Sequence, residues 1–478
     1  MTTTTMVTNR PASLVAPEQL IDGTWSVPDE PSVATSSASI TRAVDSAWRD
    51  HRAAIDGIGT PQQRRSALGL AATRLDGLAE SIAVQDTLNS GVPIAITRLF
   101  AGSLGAMLRD AADRIDSLAF DDLSNDGRDV RLHHLPLGPA AVLAPWNAPT
   151  VVAAKKAAFA WAAGCPVIIK PSPWSPNGTT LLVRAMHKAA VDAGLPAASV
   201  QLVFGGVAAG QTLAAAPHVR AISFTGSRAG GRAVAATAAG GVAALQLELG
   251  SNNPAIVLAD ADIPSTAAAL SAGMSKLNGA WCESPGTVFV PQSIRDELLD
   301  SLVAELERLV IGNPLDETTT FGPQSNRVQA DTLRARISQF EQAGAHVQTI
   351  GLVPQSDHWI APTLVLDPPA ELARDETFGP VLIIRTSNDL DEAIDETYRL
   401  STGLAGFVFT RDKAMGQRIG RWLPTGEVKI NGTSLLDMSD RSAQAFWYGS
   451  GIGGHGNAEL LRFFTGARIV GEDIRSPL

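Results

Sequence analysis

The sequence predicts an α/β protein built from two doubly wound domains, with a small arm outside the main sheets. Three observations carry this. From residue 140 onward, short continuously apolar runs alternate with helical stretches, the pattern of parallel strands covered on both faces. A second series of the same kind starts at "PAIVLADADI", 254–263, placing a boundary near residue 250. The polar segment 118–137 and the tail 458–478 fit neither periodicity.

Taken in order, the first clear element is a helix. Thr60 can cap it, Pro61 suits its first turn, and Gln63 can complete a capping box. Helical spacing then runs to a stop at Asn89-Ser90-Gly91. "AAVLAP" (140–145) reads as a buried strand, 150–164 as a helix ended by Gly164, and "PVIIK" (166–170) as a strand. "TTLLVRAMHKAAVDAG" is a helix, followed by the strands "SVQLVF", "VRAISFTG" and "LQLELG". The second series continues through the strand "GTVFV", the amphipathic helix "IRDELLDSLVAELERLV", and the strands "APTLVLD", "VLIIRTS", "AGFVFT" and "GEVKING". "DGRDVRLHHLPLG" and "GARIVGEDI" look like strands lying outside the main sheets.

Composition narrows the function classes. A prior of roughly 150 residues per domain allows about three. With 45% hydrophobic and 18% charged residues the chain can bury a sizeable core. Its 38 basic and 48 acidic residues leave a net charge of −10 without a basic stripe, which argues against nucleic acid or an anionic membrane as partner. The neighbours His133 and His134 lack a Cys, His or Asp cluster, so they read as surface imidazoles and no metal is expected. The N-terminus has no apolar signal core, no run of 18 or more apolar residues occurs, and two distant cysteines make no disulfide framework. A reducing cytoplasm is the expected location.

Cys282 stands in "NGAWCESPGT", a Gly-rich polar stretch between a helical run and a strand. Alone, a cysteine is more often an inert buried hydrophobe; its position on a connecting loop favours chemistry instead. Cys165, which opens an apolar strand, reads as structural. Glu248 lies in the apolar strand "LQLELG", where a carboxylate must change its pKa or find a partner. Such a group can serve as a general base, or simply pair with a basic residue. Asn147, just past a strand end in "LAPWNAP", could donate to a developing oxyanion together with a backbone N–H, or be only a turn residue. Lys170 at a strand end, "FGGVAAG" and "SFTGSRAGG" are strand-to-helix turns of the kind that hold phosphates, though none matches G-x-G-x-x-G.

Seven strings appear in order over roughly residues 20–470: "PWNAP", "AAGCPVIIKPS", "ISFTGS", "LELG", "NGAWC", "ETFGPV" and "GLAGFVFT". In these the chain resembles the NAD(P)-dependent aldehyde dehydrogenase superfamily. The resemblance implies a Rossmann-like cofactor domain (1–117 and 138–249), a catalytic domain (250–457) and an oligomerisation arm (118–137 and 458–478). It implies that Cys282 attacks an aldehyde, that Asn147 and the Cys282 N–H hold the oxyanion, and that Glu248 activates the water that hydrolyses the thioester. Trp146, Lys170, Ser172, Gly206, Gly210, Gly226, Ser227, Gly231, Leu249, Glu376 and Phe378 would form the NAD or NADP site. Trp281, Phe446 and Trp447 would belong to the substrate pocket. A homodimer or homotetramer is implied, with the arm adding to a neighbour's sheet.

The chain also departs from the family. Pro173 replaces the usual acidic residue after "KPS", which leaves the choice between NAD and NADP open. Ala280 stands where Gln is usual, Ser251 where Gly is usual, and "FWYGSGIGGHG" follows the Gly-rich stretch only loosely. Trp281 could stack on substrate or pack in a wall. Glu283 is expected to point to solvent, since a charge aimed at the sulfur would raise its pKa. Two other functions compete: an acylating enzyme passing the thioester to coenzyme A, which generally lacks the glutamate, and a non-catalytic homologue acting as a binding or structural protein.

Overall fold

The computed structural model describes residues 13–28, 34–124, 128–434 and 443–472. The outer ends of the expected first domain and arm, 1–12 and 473–478, lie outside the described residues.

The capping box forms as the sequence predicts: the Thr60 hydroxyl accepts from the Gln63 N–H, and the Gln63 side chain accepts from the Thr60 N–H. The helix Pro61–Ser90 then ends at Gly91, whose φ of 75° a glycine adopts without strain.

Two large sheets hold the chemistry-bearing loops. In the first, Ala244–Leu249, Ala221–Gly226, Ala140–Leu143, Val167–Lys170 and Val200–Leu202 run parallel in that spatial order. The hairpin Gln19–Ile21/Thr24–Ser26 adds antiparallel beside Val200–Leu202. The second sheet runs His346–Thr349, Thr363–Leu366, Val381–Thr386, Pro285–Val290, Asn253–Val257, Ala405–Phe409 and Glu427–Ile430, parallel except for its first strand. The parallel strands are almost wholly buried, as burial on both faces requires. A core led by Trp161, Phe159 and Phe204 packs about the first sheet, and one led by Phe407 and Phe409 about the second.

The strand Val130–Pro136 pairs antiparallel with Thr465–Gly471 over seven residues, apart from both large sheets, and Asp121–Asp122 lies on its other side. One connection crosses the boundary drawn from sequence. Gly451–Ile452, expected in the second domain, instead pairs with the edge of the first sheet, with Gly451 opposite Glu248. Only glycine fits there: its φ is 146°, and a Cβ would lie 1.7 Å from the Leu247 carbonyl oxygen. Among the described residues no helix is long and apolar enough to cross a membrane.

Candidate active site

The loop that carries Cys282 is wedged in place. Leu277, Asn278 and Gly279 all take positive φ, at 51°, 57° and 83°, a costly conformation for the first two that only surrounding contacts can hold. The Asn278 side chain supplies them. Its amide donates to the Gly91 and Pro323 carbonyls and accepts from the Gly322 N–H, while Gln324 donates to its backbone carbonyl. At the cysteine itself, Asn253 donates to the carbonyls of Cys282 and Ser284 at 2.9 and 2.7 Å. Thus Asn253, at the start of a second-sheet strand, fixes the turn around the sulfur.

Asn147 follows the strand Ala140–Leu143 and precedes the helix Pro149–Ala163. Its side-chain amide donates to the Ala280 carbonyl at 2.7 Å, two residues before the cysteine. An amide carries two N–H donors, and one of them ties this loop to the loop that carries Cys282. Cys282 is half-buried, beside an apolar cluster of Val92, Leu277 and Trp281 with Ile96, Phe100 and Ala148. Burial pushes its thiol well above 9.0, and the charges of Glu283, Glu248 and Glu376 push it further, with Lys429 opposing them. At rest the sulfur is therefore a protonated thiol. Cys165 behaves as the sequence suggests: it is fully buried, its thiol bonds the Phe464 carbonyl, and burial takes it to about 11.

Glu248 is buried, and it finds partners. Thr225, directly opposite on the neighbouring strand, donates to Oε2 at 2.7 Å. Lys156 lies 3.4 Å from Oε2, and His455 lies 2.7 Å from Oε1. Burial alone would raise this carboxyl, but His455, Lys156, Thr225 and Lys155 outweigh it and hold it at about 2. Glu248 is thus an ionised carboxylate, not one tuned upward.

Glu283 corrects the expectation of a solvent-facing side chain. It is buried, with its carboxylate 2.7 Å from the Lys429 ammonium, which also lies 2.6 Å from Glu427. Lys429 makes the burial tolerable, since a charge leaves water only when it is paired. Trp281 is buried too, with the Lys276 ammonium 3.7 Å from its ring centroid and Lys429 at 5.6 Å, so it packs as a wall.

The expected cofactor residues line strand ends of the first sheet and the facing segment of the second. Lys170 donates to the Pro171 and Gly205 carbonyls, and burial draws its ammonium down to about 8. Gly210 packs near its stem, and Ser172 accepts from the Trp174 N–H. Gly206 precedes the helix Val207–Ala215 with open space where a Cβ would stand. Ser227 caps the helix Arg228–Ala238, accepting from the Gly230 N–H. Gly226 lies against Phe224, and Leu249 packs onto Gly231, where a Cβ would come within 2.3 Å. Glu376 packs against Gly250. Burial raises its carboxyl to about 7 against the Ser251 N–H and Arg228. Trp146 and Phe378 meet edge to face at 5.6 Å. These groups suit a dinucleotide: a capped helix N-terminus for phosphate, open space at Gly206, and an ammonium and a carboxyl for hydroxyls.

Not every expected residue joins the sulfur. Phe446 is buried against the His455 ring at 4.9 Å, outside the apolar cluster around Cys282. Trp447 is half-exposed and packs edge-on to Tyr448. Conversely, Lys156, Thr225, Asn253, Asn278, Lys429 and His455 shape the site without having been singled out in the sequence. The signals were faint: a lysine pair in an Ala-rich helix, and a histidine in a Gly-rich stretch.

Comparison with known proteins bears on the family and the fold. A family model described as the aldehyde dehydrogenase family matches residues 28–470. The chain is 31% identical over 453 residues to a betaine aldehyde dehydrogenase of Agrobacterium fabrum, covering 91% of this chain and 89% of the relative. The crystal structure of an NAD-dependent aldehyde dehydrogenase from Sinorhizobium meliloti superposes with a TM-score of 0.88 at 26% identity, covering 96% and 95% of the two chains. PnpE in complex with nicotinamide adenine dinucleotide superposes at 0.89 with 25% identity, covering 97% and 99%.

Proposed function

Because the chain belongs to the aldehyde dehydrogenase family, we propose that it oxidises an aldehyde to a carboxylic acid with NAD(P)+ through a thioester on Cys282, which water then hydrolyses. The observation that carries this is the Asn147 amide bonded to the nucleophile loop at Ala280, with Glu248 within electrostatic reach of the Cys282 sulfur.

The chemistry follows from these groups. The Cys282 thiol gives up its proton to water as Sγ adds to the aldehyde carbon, and the C=O π electrons move to oxygen, forming a thiohemiacetal anion. The second side-chain N–H of Asn147 and the Cys282 N–H hold the oxyanion, the charge that a dry site stabilises best. When bound, NAD(P)+ supplies the acceptor for the hydride that leaves this carbon. Glu248 then takes a proton from water as the water adds to the thioester, and the C–S bond breaks to release the acid. The dinucleotide would be held by Lys170 and Ser172 on the ribose side. Gly206, Gly210, Gly226, Ser227 and Gly231 would surround the diphosphate, with Leu249 packed behind. Glu376, Phe378 and Trp146 would bound the nicotinamide end. Pro173 puts no carboxylate beside the ribose, so nothing there repels a 2′-phosphate. The first sheet, with residues 1–117 and 138–249, serves the cofactor, and 250–457 serve catalysis. The apolar cluster at the sulfur favours an aldehyde with an apolar group beside its carbonyl, with Trp281 as a wall and Phe446 and Trp447 at the outer edge.

The test is the near-ultraviolet absorbance of reduced nicotinamide with each dinucleotide and a panel of aldehydes, with and without coenzyme A. Turnover without coenzyme A, abolished in Cys282→Ala and arrested after one turnover in Glu248→Gln, is expected. A strict requirement for coenzyme A would establish the acylating alternative instead, and no signal from any aldehyde would point to a binding protein.

The strand Thr465–Gly471 has one partner among the described residues and carries exposed Ile469 and Val470. It is a suitable edge for a second subunit, and a homodimer or homotetramer is the assembly expected by light scattering. A monomer at working concentration would refute this. The reducing cytoplasm remains the expected compartment, and both cysteines are free.

A further inference from the structure

We propose that His455 is a positioning residue for water activation: it holds the Glu248 carboxylate and shares one proton with it, so that the imidazole decides when that carboxylate can take another. The inference rests on Glu248 as the base of the hydrolytic step.

His455 is brought to Glu248 by pairing that the Gly-rich tail permits. Gly454–His455 pairs antiparallel with Gln444–Ala445. The Gln246 amide, two residues before Glu248, donates to the Gly454 carbonyl at 2.8 Å. Phe446 packs edge to face with the imidazole, ring centroids 4.9 Å apart. The ring is therefore fixed between a strand and an aromatic wall, with Nε2 2.7 Å from Glu248 Oε1. Two lone pairs cannot face each other at that distance, so one proton lies between the two groups. The carboxylate's partners are divided: Oε2 faces Thr225 and Lys156, and Oε1 faces His455.

The charges facing His455 set its behaviour. Burial favours the neutral ring, as do Lys156 and Lys155, while Glu248 and Glu283 favour imidazolium; the balance lies below the ordinary 6.5. At neutral pH the ring is therefore uncharged, and the pair holds its single proton. In the hydrolytic step one O–H bond of water breaks as its oxygen bonds the thioester carbon, and the proton moves to Glu248. The C–S bond then breaks, its electrons return to Sγ, and the proton passes to the departing sulfur, leaving acid and thiol. Acid conditions place a second proton on the pair. Imidazolium then grips the carboxylate, which becomes a weaker base, and hydrolysis slows.

The experiment uses the full-length enzyme with saturating dinucleotide and an aldehyde that the parent oxidises. It reads the first-turnover burst and the steady state from about pH 5 to 9, across the range in which an imidazole titrates. The parent is expected to lose steady-state rate on the acid side, and His455→Gln, which fills the space without titrating, to lose that acid limb. His455→Ala is expected to keep a full burst, because acylation and hydride release do not use the pair, and to fall at least about tenfold in the steady state, within what a positioned base supplies. The burst amplitude counts competent sites, so a poorly folded variant cannot imitate this result. If both variants retain the parental steady state and acid limb, the inference is wrong. It is equally wrong if burst and steady state fall together. Glu248→Gln run alongside separates the two levels. Arrest after the burst there, with His455 variants like the parent, overturns only the role of His455; parental turnover in Glu248→Gln overturns the base assignment itself.

Discussion

Lys429 is the residue whose removal the structure makes most costly. Lys429 is 1% exposed, and its ammonium lies 2.7 Å from Glu283 and 2.6 Å from Glu427. In Lys429→Met both carboxylates lose their counter-charge while staying out of water. Breaking a buried pair in this way costs about 3–5 kcal/mol, because the stranded charge cannot recover its hydration. The two stranded groups place this case toward the upper end. At about 2.1 cal/mol/K per residue, 478 residues melting as one unit have an unfolding entropy of about 1 kcal/mol/K, so the melting temperature should fall by about 3–5 °C. A smaller cooperative unit would fall further. The assay is differential scanning fluorimetry at one fixed scan rate, since chains of this size commonly unfold irreversibly. A triple variant, Glu283→Gln, Lys429→Met and Glu427→Gln, strands no charge and should recover most of the loss. Melting of Lys429→Met within about 1 °C of the parent would refute the reasoning, because a penalty of this kind cannot be hidden in a buried site.

Three further outcomes follow from the same site. Glu283→Gln removes a negative charge that raises the Cys282 thiol, so iodoacetamide should label Cys282 faster at about pH 8, while Cys165 stays unlabelled in mass spectra; equal or slower labelling would contradict this. Gly279→Ala places a Cβ 2.1 Å from the Pro380 nitrogen at a φ of 83°, so it should cost at least about 2 kcal/mol and shrink the first-turnover burst. Glu376, raised to about 7 by burial, should bind a ribose hydroxyl best when ionised. Dinucleotide affinity by calorimetry should then weaken by up to about tenfold per pH unit below that value, and Glu376→Gln should be flat; a flat parent would remove Glu376 from the cofactor site.

How much of this was legible beforehand depended on the range of the interaction involved. The first-sheet strands and the helix from Pro61 are local matters. A run such as Val167–Lys170 is apolar throughout because both its faces are covered, and Thr60 and Gln63 cap within one turn. Cys282, Glu248 and Asn147 could be named because each sits in a short string of its own. What lay out of reach was which charges those strings would meet. Glu283 was expected in water because a charge aimed at the sulfur would raise the thiol pKa; its partner Lys429, which makes burial tolerable, lies on a strand 146 residues away. Lys156 and His455 reach Glu248 from far before and far after it in the chain, equally out of sight of its neighbours, and the Gly451 strand joins the first sheet because a bare backbone fits against Leu247. Periodicity, a property of neighbours along the polypeptide, determined the layers, and the short strings around Cys282, Glu248 and Asn147, with the family they resemble, pointed to the chemistry. The protonation of the sulfur, the carboxylate and the imidazole was decided only in three dimensions, because the energy of a charge depends on what surrounds it in space.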